Sequence, residues 1–313
     1  MIIAKETDIT QAVLAELEHA SDPRFIEIMG AAVRHLHAFI RETKLTEREF
    51  QQACAVIAEL GQRTSPSHNE VVLAAGSLGI SSLVCLLNNG HGGETTANLL
   101  GPFWREGAPV MENGSSIIRS ETPGTPTRVR VSIVDPDGKP VPEAEVDVWH
   151  CSSEGFYENQ DPAQADMNLR GKFRTDAQGQ VEFISIKPVG YPIPIEGPVG
   201  DLLRKQGRHN MRPAHIHFLV HKDGYKTQFA QIYSNDDPYL ETDVQFGVTR
   251  SLVGAYQAHT EDNPRLQRQA GETWYALDHT LVIEPGVATL PLPPIKGKAQ
   301  GDRPSLAVLE AKR

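Results

Sequence analysis

The chain has 313 residues, 39% hydrophobic and 22% charged, enough for a sizeable core in one large domain or two smaller ones. A formal net charge of -10 offers no basic footprint for phosphates, which argues against a nucleic-acid partner. The start "MIIAKETDIT" lacks a secretory pattern, and no apolar run reaches the roughly 20 residues of a membrane span. Cys54, Cys85 and Cys151 are odd in number and form no CxxC pair, so the expected setting is a reducing cytoplasm with thiols used for packing.

The first ninety residues read as helices. Asp22 caps a helix opening at Pro23, in which Phe25, Ile28, Met29, Ala32, Val33, Leu36 and Ile40 recur at helical spacing. Thr46 and Glu49 form a capping box ahead of Phe50, Ala53, Ile57 and Leu60, with Gly61 as the expected stop. Ser67 and Glu70 repeat the device before "VVLAAGSLGISSLVCLL". That segment is apolar nearly all round, so a single buried helix ending at "NNG" is expected.

From about residue 127 the period becomes two. "TRVRVSIVDPDG" alternates Val129, Val131 and Ile133 with polar residues before a turn, and "AEVDVWHC", "QVEFISI", "AHIHFLV", "QFAQIYS" and "HTLVIEP" are further strands. Short strands without intervening long helices predict an antiparallel β-sandwich. The fold class is α+β, with a helical dimerisation domain over 1–105, a sandwich catalytic domain over 106–291 and a C-terminal surface arm over 292–313. The long irregular stretches 150–170 and 187–213 are the expected functional loops.

"RPAHIHF" puts His215 and His217 on one face of a strand, spaced so that both imidazoles reach a single metal ion. Alone, an HxH also fits two satisfied core histidines. Two tyrosines in the glycine- and proline-rich loops are further candidate ligands: Tyr157 in "SSEGFYENQD" and Tyr191 in "KPVGYPIPIEGPVGDLL". A phenol with an ordinary pKa near 10 is ionised only by a strong electrophile. Two phenolates with two neutral imidazoles therefore suit Fe(3+) better than zinc. The different-class alternatives are a zinc or ferrous HxH enzyme on a cupin-like barrel and a metal-free binding sandwich, neither of which uses two loop tyrosines.

"DVWHCSSEGFY", "KPVGYPIPIEGPVG", "GRHNMRPAHIHF" and "TQFAQIY", in this order, resemble the intradiol ring-cleavage dioxygenases. The helical N-terminus and "ANLLGPFWREGAPV" resemble their catechol and hydroxyquinol 1,2-dioxygenase branch. The resemblance implies Tyr157, Tyr191, His215 and His217 as ferric ligands, with Tyr191 the one that departs when substrate arrives and acts as a base. It implies Arg212 and Gln231 as catalytic residues. Arg212 read by itself also fits an ion pair with Glu196 or Asp201, and Gln231 an exposed strand residue.

The resemblance further implies a pocket lined by Leu73, Gly76, Leu99, Leu100, Gly101, Pro102, Phe103, Ile193, Pro194 and Phe246. "YPIPIEGPVG" is similar to the hydroxyquinol enzymes, so hydroxyquinol is the expected substrate, giving 3-hydroxy-cis,cis-muconate/maleylacetate. Catechol or a chlorocatechol, giving a cis,cis-muconate, is the alternative. Gly76 stands where hydroxyquinol enzymes tend to carry aspartate, and Gln245 where the family usually has an apolar residue. Beyond the aromatic diol or triol and O2, the implied partners are a second copy joined through the N-terminal helices and a phospholipid as candidate occupant of that interface.

Overall fold

The computed structural model describes residues 2–65, 68–88, 95, 97–295, 297–298 and 303–311. By spatial proximity the chain divides into two compact units, residues 1–58 and 59–313.

The first unit is helical: α1 (Asp8–Leu17), α2 (Pro23–Thr43) and most of α3 (Glu47–Gln62). Asp22 caps α2 as its sequence predicts, its carboxylate accepting from the backbone N–H groups of Arg24 at 2.9 Å and Phe25 at 3.3 Å. The Thr46–Glu49 box also forms, each side chain accepting the other residue's backbone N–H, at 2.9 and 3.3 Å. Phe25, Ile28, Leu36 and Phe39 on α2 are each about half exposed.

In the second unit α3 ends at Gln62, one residue past the expected stop. The apolar segment that follows is two helices rather than one, α4 (Glu70–Ser77) and α5 (Ile80–Asn88), bent by 76°. Gly79 between them has φ +73°, a left-handed conformation that closes α4 and that glycine adopts without a Cβ clash. Burial is also less than expected, because Leu78, Ile80, Leu83 and Leu87 are exposed. An all-round apolar pattern does not say where a partner surface lies. Asn69 caps α4, accepting from Val72 N–H at 2.9 Å. Ser67, the expected cap, lies outside the described residues. Among those residues no single helix is long and apolar enough to cross a membrane.

The strands are β1 (Pro126–Val134), β2 (Glu145–Trp149), β3 (Arg170–Arg174), β4 (Gln180–Ile186), β5 (Tyr191–Pro192), β6 (Met211–Arg212), β7 (His215–His221), β8 (Gln228–Ser234), β9 (Val253–Gly254), β10 (Tyr256–His259) and β11 (Trp274–Val282). A four-stranded sheet runs β10-β11-β1-β4 and a five-stranded one β3-β2-β7-β8-β9. They are mixed rather than strictly antiparallel, since β1 pairs with β11, and β8 with β9, in parallel. Strand alternation does not encode pairing direction; the connections do. Val129, Val131, Ile133 and Phe183 of one sheet meet Val146, Val148, Ile216, Phe218, Val220 and Ile232 of the other in a sealed core.

The stretch 187–213 is not wholly irregular. It holds the short pair β5–β6 and a helix, α6 (Pro198–Gln206). The first turn of α6 is satisfied from α4: Glu70 Oε1 accepts from Val199 N–H at 3.0 Å. Glu70 thus ties α4 to α6.

Candidate metal centre

On β7 the residues split by parity. Ile216, Phe218 and Val220 face the inter-sheet core, so His215, His217 and Leu219 point from the opposite face. That face is covered by the two long loops, and both histidines are 1% exposed. Trp149 lies opposite His217 across β2, and its ring stacks on the imidazole at 4.7 Å with a 9° interplanar angle. On the other side, Gly101 has φ +77°, and a Cβ there would stand 2.9 Å from His217 Cε1. Glycine at 101 therefore serves both the turn and the close approach to the ring.

The loops deliver the phenols. Gly155, at φ +85°, turns the chain so that Ser152 N–H reaches Phe156 O at 2.8 Å, and Tyr157 follows directly. Tyr191 is set beside Arg212 by the β5–β6 pairing. Tyr157 Oη lies 3.3 Å from Tyr191 Oη and 3.0 Å from His217 Nε2, and His217 Nε2 lies 3.1 Å from His215 Nε2. Side chains from one strand and two loops thus bring four donor atoms together, with Tyr157 1% and Tyr191 7% exposed.

Electrostatics keep the imidazoles neutral. Burial, reinforced by Arg212, pushes His215 down to about 3. Burial and the neighbouring His215 push His217 well below its usual value. Burial also raises both phenols, opposed by Arg212, whose positive charge favours phenolate. His215 Nδ1 lies 2.7 Å from Pro213 O, which fixes a proton there and leaves Nε2 its lone pair. His217 Nδ1 is buried without a hydrogen-bond partner among the described residues.

Arg212 is neither exposed nor paired with Glu196 or Asp201; Asp201 instead accepts from Arg204 at 2.8 Å. Its partner is the buried Asp243, met at 3.2 Å by Nε and 3.1 Å by Nη2. Nη2 also donates to Gln231 Oε1 and to Tyr233 Oη, each at 2.9 Å. Gln231, fully buried, pairs with His217 across β7–β8 and donates to Leu99 O at 2.9 Å. The exposed-strand alternative for Gln231 is thereby excluded.

Of the other pocket candidates, Leu100 and Phe103 pack with Trp149, Tyr157 and Tyr191, the Phe103 ring 4.3 Å from that of Tyr157. Leu73 and Ile193 share a cluster with Val199, Leu203 and Val244. Gly76 lies against Gln245, whose Oε1 is 1.7 Å from where a Cβ would stand. Pro102 is exposed and Pro194 half-buried. Phe246 is 52% exposed, with the Arg208 guanidinium 4.4 Å from its ring centroid.

Sequence reasoning missed Asp243, Tyr233 and the buried trio Arg105, Glu158 and Arg170. Tyr233 was findable, for it shares a strand face with Gln231 and lies opposite His215. Glu158 Oε1 accepts from Arg105 at 2.7 Å and Arg170 at 2.6 Å, while Arg170 also donates to Phe103 O at 2.6 Å, joining the Tyr157 loop to the "GPF" loop. Nothing in their local sequence marks that convergence. The cysteines form no disulfide, and of the three only Cys151 is fully buried.

Known proteins match this chain in sequence and fold. A family profile described as "Dioxygenase" covers residues 99–284, and one described as "Catechol dioxygenase N terminus" covers 22–96. The chain is 39% identical to a hydroxyquinol 1,2-dioxygenase from Rhizobium sp. (strain MTP-10005), over 87% of this chain and 93% of that one. It is 34% identical to a catechol 1,2-dioxygenase from Candida albicans, over 88% and 91%. The solved structure of a hydroxyquinol 1,2-dioxygenase from Pseudomonas putida DLL-E4 superposes with a TM-score of 0.81 at 35% identity, covering 90% of this chain and 99% of that one. Two open sheets and these matches leave no room for the cupin-like alternative. The chain belongs to the intradiol ring-cleavage dioxygenases, in the branch that holds the catechol and hydroxyquinol enzymes.

Proposed function

We propose that this chain holds ferric iron through Tyr157, Tyr191, His215 and His217 and uses dioxygen to cleave hydroxyquinol between its vicinal hydroxyls, giving 3-hydroxy-cis,cis-muconate/maleylacetate. The observation that carries the reading is the run of close approaches from Tyr191 Oη to Tyr157 Oη to His217 Nε2 to His215 Nε2, each 3.0–3.3 Å from the next, in a buried pocket. The donor chemistry fits: hard anionic oxygens offset a trivalent charge, and neutral imidazoles complete the set. Burial disfavours free phenolates here, so a strong cation is what would ionise them.

When bound, the ion supplies Lewis acidity that draws electron density from a catecholate. Tyr191, as phenolate, takes up a proton from a substrate hydroxyl. Arg212, its charge fixed by Asp243, stabilises negative charge developing on the ring. Gln231 holds Arg212 on one side and the Leu99 carbonyl on the other, which keeps the "LLGPF" loop against the site. Trp149 and Gly101 fix the plane of His217, and the packed loop residues exclude water.

The similarity to hydroxyquinol enzymes supports that substrate, while Gly76 in place of an acidic residue keeps catechol or a chlorocatechol as the second reading. Oxygen uptake on hydroxyquinol, catechol and chlorocatechols decides, and equal rates on catechol and hydroxyquinol overturn the substrate assignment. A preparation that stays colourless after iron loading, with no phenolate-to-iron charge-transfer band, overturns the metal assignment. We also assign dimerisation to residues 1–105, catalysis to 106–291 and an arm to 292–313. The half-exposed apolar face of α2 supports a second copy as partner, with a phospholipid as candidate occupant of the interface.

A further inference from the structure

The last described segment, residues 303–311, lies beyond the stretch matched by the dioxygenase profile, yet it is bonded to both loops that carry the phenols. Arg303 grips Asp161 with two parallel bonds, Nε to Oδ1 and Nη2 to Oδ2, each 2.8 Å. Its Nη1 is 3.0 Å from Glu154 Oε2, and its guanidinium lies 5.1 Å from the ring centroid of Phe156, the neighbour of Tyr157. Asp161 is 1% exposed, so this is a charge-assisted fork onto a buried carboxylate rather than a loose surface pair.

Three residues on, Leu306 reaches the junction of the two loops. Its Cδ1 lies 3.4 Å from the point where a Gly155 Cβ would stand, and Tyr191 Cβ lies 3.1 Å from that same point. The segment then runs along the second loop. The fully buried Asn210 donates from Nδ2 to Ala307 O at 2.9 Å and to Ile193 O at 2.7 Å, while its Oδ1 accepts from Leu309 N–H at 2.8 Å. Its side-chain amide stands in for a peptide group of a neighbouring strand. Leu309 completes the contact by packing on the cluster of Ile193, Val199, Leu203 and Val244.

We propose that residues 303–311 form a clamp that holds the Tyr157 and Tyr191 loops together, with Arg303 and Asn210 as positioning residues for the two phenols. Irregular loops occupy the low-stability end of a fold, whereas a site of this kind needs its groups held to about 0.5 Å. A segment bonded to both loops at once supplies that restraint from outside the sheets. The clamp stands on these contacts alone; its consequence for iron rests on the ferric reading.

The test uses the full chain as wild type, Arg303→Ala, Arg303→Lys and Leu306→Ala. Backbone hydrogen exchange is measured on iron-free protein, then ferric iron retention by chelator competition. Arg303→Ala is expected to speed exchange in residues 152–161 and 188–195 by about tenfold, the factor for one charge-assisted bond, with β1 and β7 unchanged. Leu306→Ala should loosen the same stretches, Arg303→Lys should recover part of the protection, and iron retention should fall in step. Unchanged loop exchange in both alanine variants, or faster exchange in loops and strands alike, overturns the clamp. Loosened loops with iron retention intact overturn the positioning roles. Failure of the wild type to hold iron defeats the ferric reading instead, while the exchange result still judges the clamp.

Discussion

Gly76 and Gln245 depart from the family pattern separately in sequence, but in space they are one feature. A Cβ on Gly76 would stand 1.7 Å from Gln245 Oε1 and 2.7 Å from its Cδ, and Gln245 is only 7% exposed, with Nε2 donating to Ser77 Oγ at 3.0 Å. Gly76→Ala must therefore evict the carboxamide. Overpacking costs about 1–3 kcal/mol, and the clash is with the far end of a flexible side chain, so the low end, roughly 1–2 kcal/mol, applies. Losing the bond to Ser77 adds about 1 kcal/mol, and alanine's better helix propensity in α4 returns up to about 1 kcal/mol. The net expectation is a destabilisation of about 1–2 kcal/mol. In a Gln245→Ala background the clash is absent, and the same substitution should stabilise by up to about 1 kcal/mol. Urea unfolding of the four proteins of this double-mutant cycle measures a coupling of about 2–3 kcal/mol, well above the roughly 0.5 kcal/mol scatter of independent sites. A coupling below that scatter, or a stabilising Gly76→Ala in the otherwise native chain, refutes the reasoning.

Three further outcomes are expected. Tyr191→Phe should keep iron on the three remaining ligands yet lose turnover by at least about 100-fold, the usual worth of a positioned base; metal analysis beside oxygen uptake checks this, and normal turnover removes the role. Gly101→Ala should displace the His217 ring and strain a left-handed backbone position, so iron retention should fall measurably, read by chelator competition against Gly107→Ala, a left-handed glycine with open space around it. Glu70→Gln should weaken the bridge from α4 to α6 by about 0.5–2 kcal/mol, read by urea unfolding at neutral pH. Burial raises the Glu70 pKa, but the bonds from His68 and Val199 N–H outweigh it and leave it below its ordinary value. Its contribution is thus present above the ordinary carboxylate range and lost as pH falls through the depressed pKa, so the gap between wild type and Glu70→Gln should close in acid.

Local pattern made much of the fold legible. Asp22 and the Thr46–Glu49 box mark helix starts through bonds spanning only two or three residues, and Val129, Val131 and Ile133 mark a strand by alternation. It failed where an answer lay outside the window. The Glu70 bond to the first turn of α6 and the parallel β1–β11 pairing each depend on segments far apart in the chain. The docking of the arm after residue 291 through Arg303 and Leu309 rests on long-range contacts that no period encodes.

Sequence by itself determined the chemistry on offer: two imidazoles on one strand face, two phenols in loops, and the order of motifs that places the chain in its family. Residue type and strand parity are local properties, so they survive without coordinates. Tertiary structure alone decided that Arg212 is fixed by Asp243, that Gly76 and Gln245 share one volume, and that the C-terminal segment binds both tyrosine loops. The reason is physical: partner choice for a buried charge, and occupancy of a shared space, are set by which distant residues the packed sheets and loops bring within about 3 Å.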